Sequence, residues 1–194
     1  MRRAILSAAA LFALAAAPAC VDSTPGAAAP TTGAVATDFT TRDVDGNTFR
    51  LSDHLGKKVI LIDFWATWCQ PCTAEFPHLQ KMYDEQKSKG FVIVAVSMDG
   101  SDSIAEVPSF AHRNNVTFPV VLDEDSHIAS IYNPRKSAPL SVLIDRAGHV
   151  VTVREGYNPG DEELIAADVK KLVDATATTT PAPPAAPPVA PPKT

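Results

Sequence analysis

Apolar positions along this chain fall into runs of two kinds, unbroken and periodic, and each kind names an element. Val59-Ile60-Leu61-Ile62-Asp63-Phe64 and Phe91-Val92-Ile93-Val94-Ala95-Val96-Ser97 are almost wholly apolar, as expected of strands buried on both faces. Residues 73–89 read as a helix with Pro77 inside it, and 104–114 as a second helix entered through Ser101-Asp102-Ser103. Residues 119–122 read as a short strand and 126–132 as a short helix. Residues 140–144 and 150–153, joined by Asp145-Arg146-Ala147-Gly148, predict an antiparallel hairpin. A closing amphipathic helix is expected over 161–173, with Glu162 and Glu163 at its start and Lys170 and Lys171 towards its end, signs that complement a helix dipole. Upstream, Phe39-Thr40-Thr41 and Thr48-Phe49-Arg50-Leu51 flank Asp45-Gly46-Asn47, a further hairpin signal. The order β-α-β-α-β-α-β-β-α predicts an α/β fold: a central mixed β-sheet flanked by helices, with an added N-terminal β-hairpin.

Neither end carries such patterning. Met1-Arg2-Arg3 and the apolar run 4–17 predict a signal peptide over residues 1–19; the run is short for a membrane span. Ala17-Pro18-Ala19 fits the small-x-small rule of ordinary cleavage. Cys20 directly after it also resembles the lipid-accepting cysteine of a bacterial lipoprotein, although Ala17 stands where Leu is usual. An unpaired thiol is a liability in an oxidising compartment, which favours lipidation of Cys20. Residues 20–36, rich in Ala, Thr, Pro and Gly, read as a flexible tether. Residues 175–194 are Ala, Thr and Pro with a single Lys193 and read as a disordered tail. That leaves one domain over 37–174.

Charge narrows the partners. The chain has a net charge of −5, and 37–174 alone carries 14 Lys and Arg against 21 Asp and Glu. No basic patch offers itself, which argues against nucleic acid. A monomer is expected, touching the membrane only through lipid on Cys20.

The chemistry gathers where the first unbroken strand meets the first helix, at Trp65-Ala66-Thr67-Trp68-Cys69-Gln70-Pro71-Cys72. Free N–H groups and the positive end of the helix dipole face that point. They stabilise a thiolate, the attacking species in disulfide exchange. Pro71 fits a first turn, whose N–H groups lack helical partners. Half a zinc site and a structural disulfide are the competing readings. Zinc needs four ligands, whereas Cys20 is distant and His54, His78, His112, His127 and His149 are scattered without ligand spacing. A structural disulfide seldom spans so short a loop. Strand, Cys-x-x-Cys and helix together point to redox chemistry, with no cofactor beyond the Cys69–Cys72 disulfide. Cys69, ahead of the helix and more exposed, is the expected nucleophile, and Cys72 the buried resolving thiol. Cys72 must lose a proton to resolve a mixed disulfide, and two carboxylates are available. Asp63 lies in the apolar strand, and Glu75 lies within reach of Cys72 at i, i+3. A carboxylate in apolar surroundings has a raised pKa, which suits proton transfer near neutrality. The alternative for Glu75 is a solvated helix face.

At these residues the sequence resembles a known family. Asp63-Phe64-Trp65-Ala66-x-Trp68-Cys69-x-Pro71-Cys72 is similar to the active-site segment of thioredoxin-fold proteins. Glu75-Phe76-Pro77, residues 91–97 and Phe118-Pro119-Val120-Val121-Leu122-Asp123 narrow the resemblance to TlpA/ResA-type thiol–disulfide oxidoreductases, over about residues 37–174. The resemblance implies a thioredoxin-like fold that includes the N-terminal hairpin. It implies partner-protein thiols and disulfides as substrates, a membrane electron donor, and a site on the periplasmic side of a bacterial membrane. Reduction, for example of apocytochrome c or copper-site thiols, is the usual role. Asp63 then stands where thioredoxins carry a buried acid, and Glu75 belongs to the family's Glu-Phe-Pro. The Ala138-Pro139 bond is implied to be cis, in a loop that abuts the dithiol and binds the partner's backbone. Trp68 is expected to shield the dithiol and meet the partner, and Trp65 to lie beneath it. Leu140-Ser141 replaces the family's usual Thr-Thr, and Asn133-Pro134-Arg135-Lys136 its usual Gly-Val run; both departures fall where partners are chosen. Thiol peroxidases on this fold want Pro-x-x-x-Thr-x-x-Cys, and here Ile62 and Ala66 hold the Pro and Thr places. A copper-binding module using Cys69, Cys72 and a distant His is the other alternative; the two-residue spacing with Pro71 favours disulfide chemistry.

Overall fold

The computed structural model describes residues 29–175; the signal segment, Cys20, most of the expected tether and the tail lie outside them. The two unbroken apolar runs form β3 (Val59–Trp65) and β4 (Phe91–Ser97), in which every residue is buried. They sit side by side in a five-stranded sheet of order β5-β4-β3-β6-β7. Its other members are β5 (Val120–Leu122), β6 (Leu140–Ile144) and β7 (Val150–Glu155). Strands β3, β4 and β5 are parallel, whereas β6 and β7 run antiparallel to their neighbours. The expected mixed sheet is therefore present.

Two apolar cores lie on its two faces. One is made with α1 (Gln70–Gln86), α2 (Val107–Arg113) and α4 (Asp161–Ala175). The other is made with α3 (His127–Tyr132) and the hairpin of β1 (Thr40–Arg42) and β2 (Thr48–Arg50). Along β3, Val59, Leu61 and Trp65 join the first core, and Ile60, Ile62 and Phe64 the second. Asp63 shares the parity of the first set, so its side chain faces α1 and α4. Strand alternation alone decides that.

Helix boundaries shift for local reasons. α1 begins at Gln70, three residues before the expected start, because Cys69 acts as its N-cap. A 3-10 turn over Lys87–Lys89 follows it and ends at Gly90, with φ 87°, a left-handed stop that glycine takes without strain. The helix expected from 104 opens as a 3-10 turn and becomes α-helical only at Val107. α4 runs through Ala175, into the first residue assigned to the tail.

Residues 33–36, expected as the end of the tether, are tied into the sheet. Gly33 N donates to Val150 O (2.8 Å), Val150 N to Ala34 O (2.9 Å) and Ala36 N to Gly148 O (2.8 Å). The chain then reaches the opposite edge, where Val44 N donates to Val120 O at 2.9 Å and Thr41 Oγ1 to Leu122 O at 3.1 Å. One strap thus covers part of both open edges, β7 and β5, where unpaired backbone would invite other strands. Among the described residues no helix is long and apolar enough to cross a membrane.

Candidate active site

β3 ends at Trp65, and Ala66-Thr67-Trp68 turn the chain into Cys69. Cys69 Sγ accepts the N–H of Cys72 at 3.3 Å. The sulfur therefore takes one of the helix's orphan donors and sits in the positive field of a 17-residue helix, which favours the thiolate. Cys69 and Cys72 are disulfide-bonded, their Cα atoms 5.3 Å apart. Cys69 is 6% exposed and Cys72 1%. The expected order of outer and inner sulfur holds, but even the outer one is largely covered. Trp68 is 65% exposed and offers an apolar face to solvent one residue before Cys69. Trp65 is fully buried, its ring 4.4 Å from Phe76 and 4.8 Å from Phe110 between centroids.

Both predicted acids are buried on the α1/α4 side of the sheet. Asp63 pairs across the strands with Ser141, whose Oγ donates to Asp63 Oδ1 at 3.0 Å. Ser141, a departure from the family pattern, is thus the partner of the acid. Glu75 belongs to the buried stripe Cys72, Glu75, Phe76, Leu79, Met82 of α1, so it is not on a solvated face. Its Oε2 is buried without a hydrogen-bond partner. Burial pushes the Asp63 carboxyl well above the usual range, only partly offset by the Ser141 hydrogen bond. Burial also pushes Glu75 up, helped by the charges of Asp63, Glu162 and Asp161. Ionising one acid opposes ionising the other, so the two do not readily carry charge together. Such a pair can take up and release a proton near neutrality.

The loop across from the dithiol carries the cis Ala138-Pro139 bond that the resemblance implies. Leu140 pairs with Phe64, which sets Pro139 beside the Trp65 end of β3, and Ala138 packs against the core that contains both cysteines. Two residues to which sequence reasoning assigned no role in the site hold the surrounding loops. Asn133, buried, donates Nδ2–H to Ser137 O (2.7 Å) and accepts Ser137 N–H on Oδ1 (2.9 Å), gripping the residue before Ala138 at both ends. Asp99, also buried, accepts from Thr67 N (3.0 Å), Thr67 Oγ1 (2.5 Å) and Ser97 Oγ (2.9 Å), fixing the turn before Cys69. Asp99 carried a usable signal, since it follows a parallel strand at its carboxyl end, where α/β sites collect. Asn133 was visible only as a departure. Among the described residues no three His, Cys, Asp or Glu side chains gather as a metal site.

Residues 32–153 match the AhpC/TSA family. The chain is 39% identical over 124 residues to the thiol-disulfide oxidoreductase ResA of Geobacillus kaustophilus, covering 64% of this chain and 69% of that one. It is 42% identical over 124 residues to ResA of Bacillus subtilis, covering 64% and 67%. A Chlorobium tepidum protein assigned as a thiol:disulfide interchange protein DsbE superposes with a TM-score of 0.68 at 32% identity, over 75% of this chain and 99% of that one. The thioredoxin domain of a Bacteroides vulgatus thiol-disulfide oxidoreductase superposes with a TM-score of 0.61 at 29% identity, over 74% and 98%. With a Cys-x-x-Cys disulfide at the head of α1 and these relatives, the chain belongs to the AhpC/TSA family, as a thiol–disulfide oxidoreductase of thioredoxin-like fold.

Proposed function

We propose that the chain reduces disulfides of partner proteins on the outer side of a bacterial membrane, with Cys69 attacking, Cys72 resolving, and Asp63 and Glu75 accepting the Cys72 proton. The observation that carries this reading is the pair of buried acids on the same side of the sheet as Cys72, set against a single backbone donor on Cys69. Negative charge there opposes a second thiolate. A dithiol whose reduced form is denied a second thiolate gives up its electrons more readily.

The cycle balances as follows. Cys69 Sγ⁻ attacks one sulfur of the partner disulfide, and the other leaves as a thiolate. Cys72 S–H gives its proton to the ionised member of the acid pair, and its sulfur attacks Cys69 Sγ. The second partner thiolate leaves. The protein ends as Cys69–Cys72, oxidised by two electrons, and the partner is reduced by two; a membrane electron donor resets the dithiol. Trp68 and the Ala138-Pro139 loop receive the partner chain, whose class is an apocytochrome c or copper-site cysteine pair. The location is supported by the signal segment and by Cys20, proposed as a lipid anchor for a monomer on its tether. Thiol trapping in intact cells tests the direction: a mainly reduced Cys69/Cys72 pair is expected, and a mainly oxidised one would contradict the reducing role.

A further inference from the structure

The proton taken from Cys72 has to leave the protein, and Asp63 is sealed inside the sheet. Glu75 is as deeply buried but stands at the edge of a cavity. It lines a groove of about 320 Å³ between α1 and α4, and its Oε2 is buried with no hydrogen-bond partner of its own. His78 lies one helical turn beyond Glu75 on the same face of α1 and also lines the groove. Opposite stands Glu162 of α4, with Oε1 3.9 Å from His78 Nδ1. The geometry points to His78 as the proton relay between Glu75 and solvent, passing on through groove water the proton that Cys72 gives up. This rests on the reading that the Asp63/Glu75 pair accepts that proton.

The other groups facing the groove are poorer carriers. The N–H groups of Glu162 itself and of Gly160, with the Tyr157 hydroxyl at 2.9 Å, hold the Glu162 carboxyl below the usual carboxylate range. Glu162 therefore stays ionised and faces His78 without itself carrying the proton. Burial and the bond to Glu162 push the Tyr157 hydroxyl up to about 12, too high to relay near neutrality. Lys81 and Glu85 of α1 and Glu163 of α4 line the outer part of the groove, and the charge of Asp161 acts on Glu75. Imidazole is the side chain that exchanges protons with water near neutrality. The groove is large and polar enough to hold water beside Glu75. In the step, the S–H bond of Cys72 breaks and its electron pair stays on sulfur for the attack on Cys69. Its proton joins the acid pair, and one proton passes from Glu75 to the His78 ring and on to water.

The test follows resolution of a mixed disulfide. The reduced full chain is mixed with hydroxyethyl disulfide in weak buffer, quenched in acid, and counted by mass as mixed disulfide or Cys69–Cys72 product. His78→Ala is expected to slow resolution by roughly a hundredfold, the lower end of general acid–base effects. Formation of the mixed disulfide is expected to stay at the wild-type rate. Added imidazole should restore resolution in His78→Ala and leave wild type unchanged, a response that a packing role for His78 would not produce. Resolution at the wild-type rate in His78→Ala, or a loss that imidazole does not repair, would overturn the relay. The acid pair is judged separately in the same assay. If Asp63→Asn combined with Glu75→Gln resolves normally, the pair and the relay both fall; if that variant is slow and His78→Ala is normal, the relay alone falls.

Discussion

A carboxylic acid on the core side of an all-apolar strand is the least comfortable residue in this protein, and Asp63 is tolerated with one hydroxyl as its hydrogen-bond donor. In the unfolded chain an Asp ionises near pH 4; folding raises that value through burial. Above the unfolded value the native state therefore binds more protons than the unfolded one, and stability is lost as pH rises through the window. Asp63→Asn removes the ionisation and still accepts from Ser141. It should change the melting temperature little near pH 4 and raise it increasingly towards neutrality, at about 1.4 kcal/mol per pKa unit removed. The same variant should resolve mixed disulfides more slowly, read by stopped-flow Trp fluorescence. A variant that melts lower at neutral pH and exchanges at the wild-type rate would make Asp63 a satisfied structural acid. Both acids were legible from type and spacing, because an acid in a β-strand of Ile and Leu needs a reason. The side to which Asp63 points followed from strand parity. The burial of Glu75 did not, since i, i+3 spacing from Cys72 fits a core stripe and a solvated face equally well.

At the scale of elements, the unbroken runs of β3 and β4 matched the structure because burial on both faces leaves no alternative pattern. The start of α1 was misplaced by three residues because capping by a cysteine sulfur has no sequence signature of the Ser or Asp kind. The loop 133–139 was the least legible part. Its shape depends on Asn133 reaching four residues ahead to Ser137, a contact set by the end of α3. Asn133→Ala would leave the half-buried Ser137 N–H and C=O without these partners, at a cost of about 0.5–1.5 kcal/mol for each bond lost. Because that loop leads into Ala138-Pro139, the variant should raise KM for a protein disulfide several-fold. Alkylation of Cys69 by iodoacetamide should proceed at the wild-type rate. Equal losses towards protein disulfide and small alkylator would show that Asn133 serves the whole site and not the partner loop.

For the whole molecule, the order of elements and the two-faced sheet were readable, but the role of residues 33–36 was not. Their composition matches a tether, and their pairing with Gly148–Val150 is purely tertiary. Truncation to residue 33 should leave the melting temperature unchanged. Truncation to residue 37 should lower it by several degrees, since three backbone hydrogen bonds at about 1 kcal/mol each are lost; identical melts would make the strap decorative. The strap, the two cores and the clamped loops together present one slightly exposed sulfur, with its resolving partner buried behind it. The most direct test mixes reduced Cys69→Ser and reduced Cys72→Ser with insulin, quenches in acid, and looks for covalent adducts by mass. Cys72→Ser should accumulate a mixed disulfide through Cys69, and Cys69→Ser should form none over the same interval. An adduct formed equally fast by Cys69→Ser would contradict the assignment of Cys69 as the attacking thiolate.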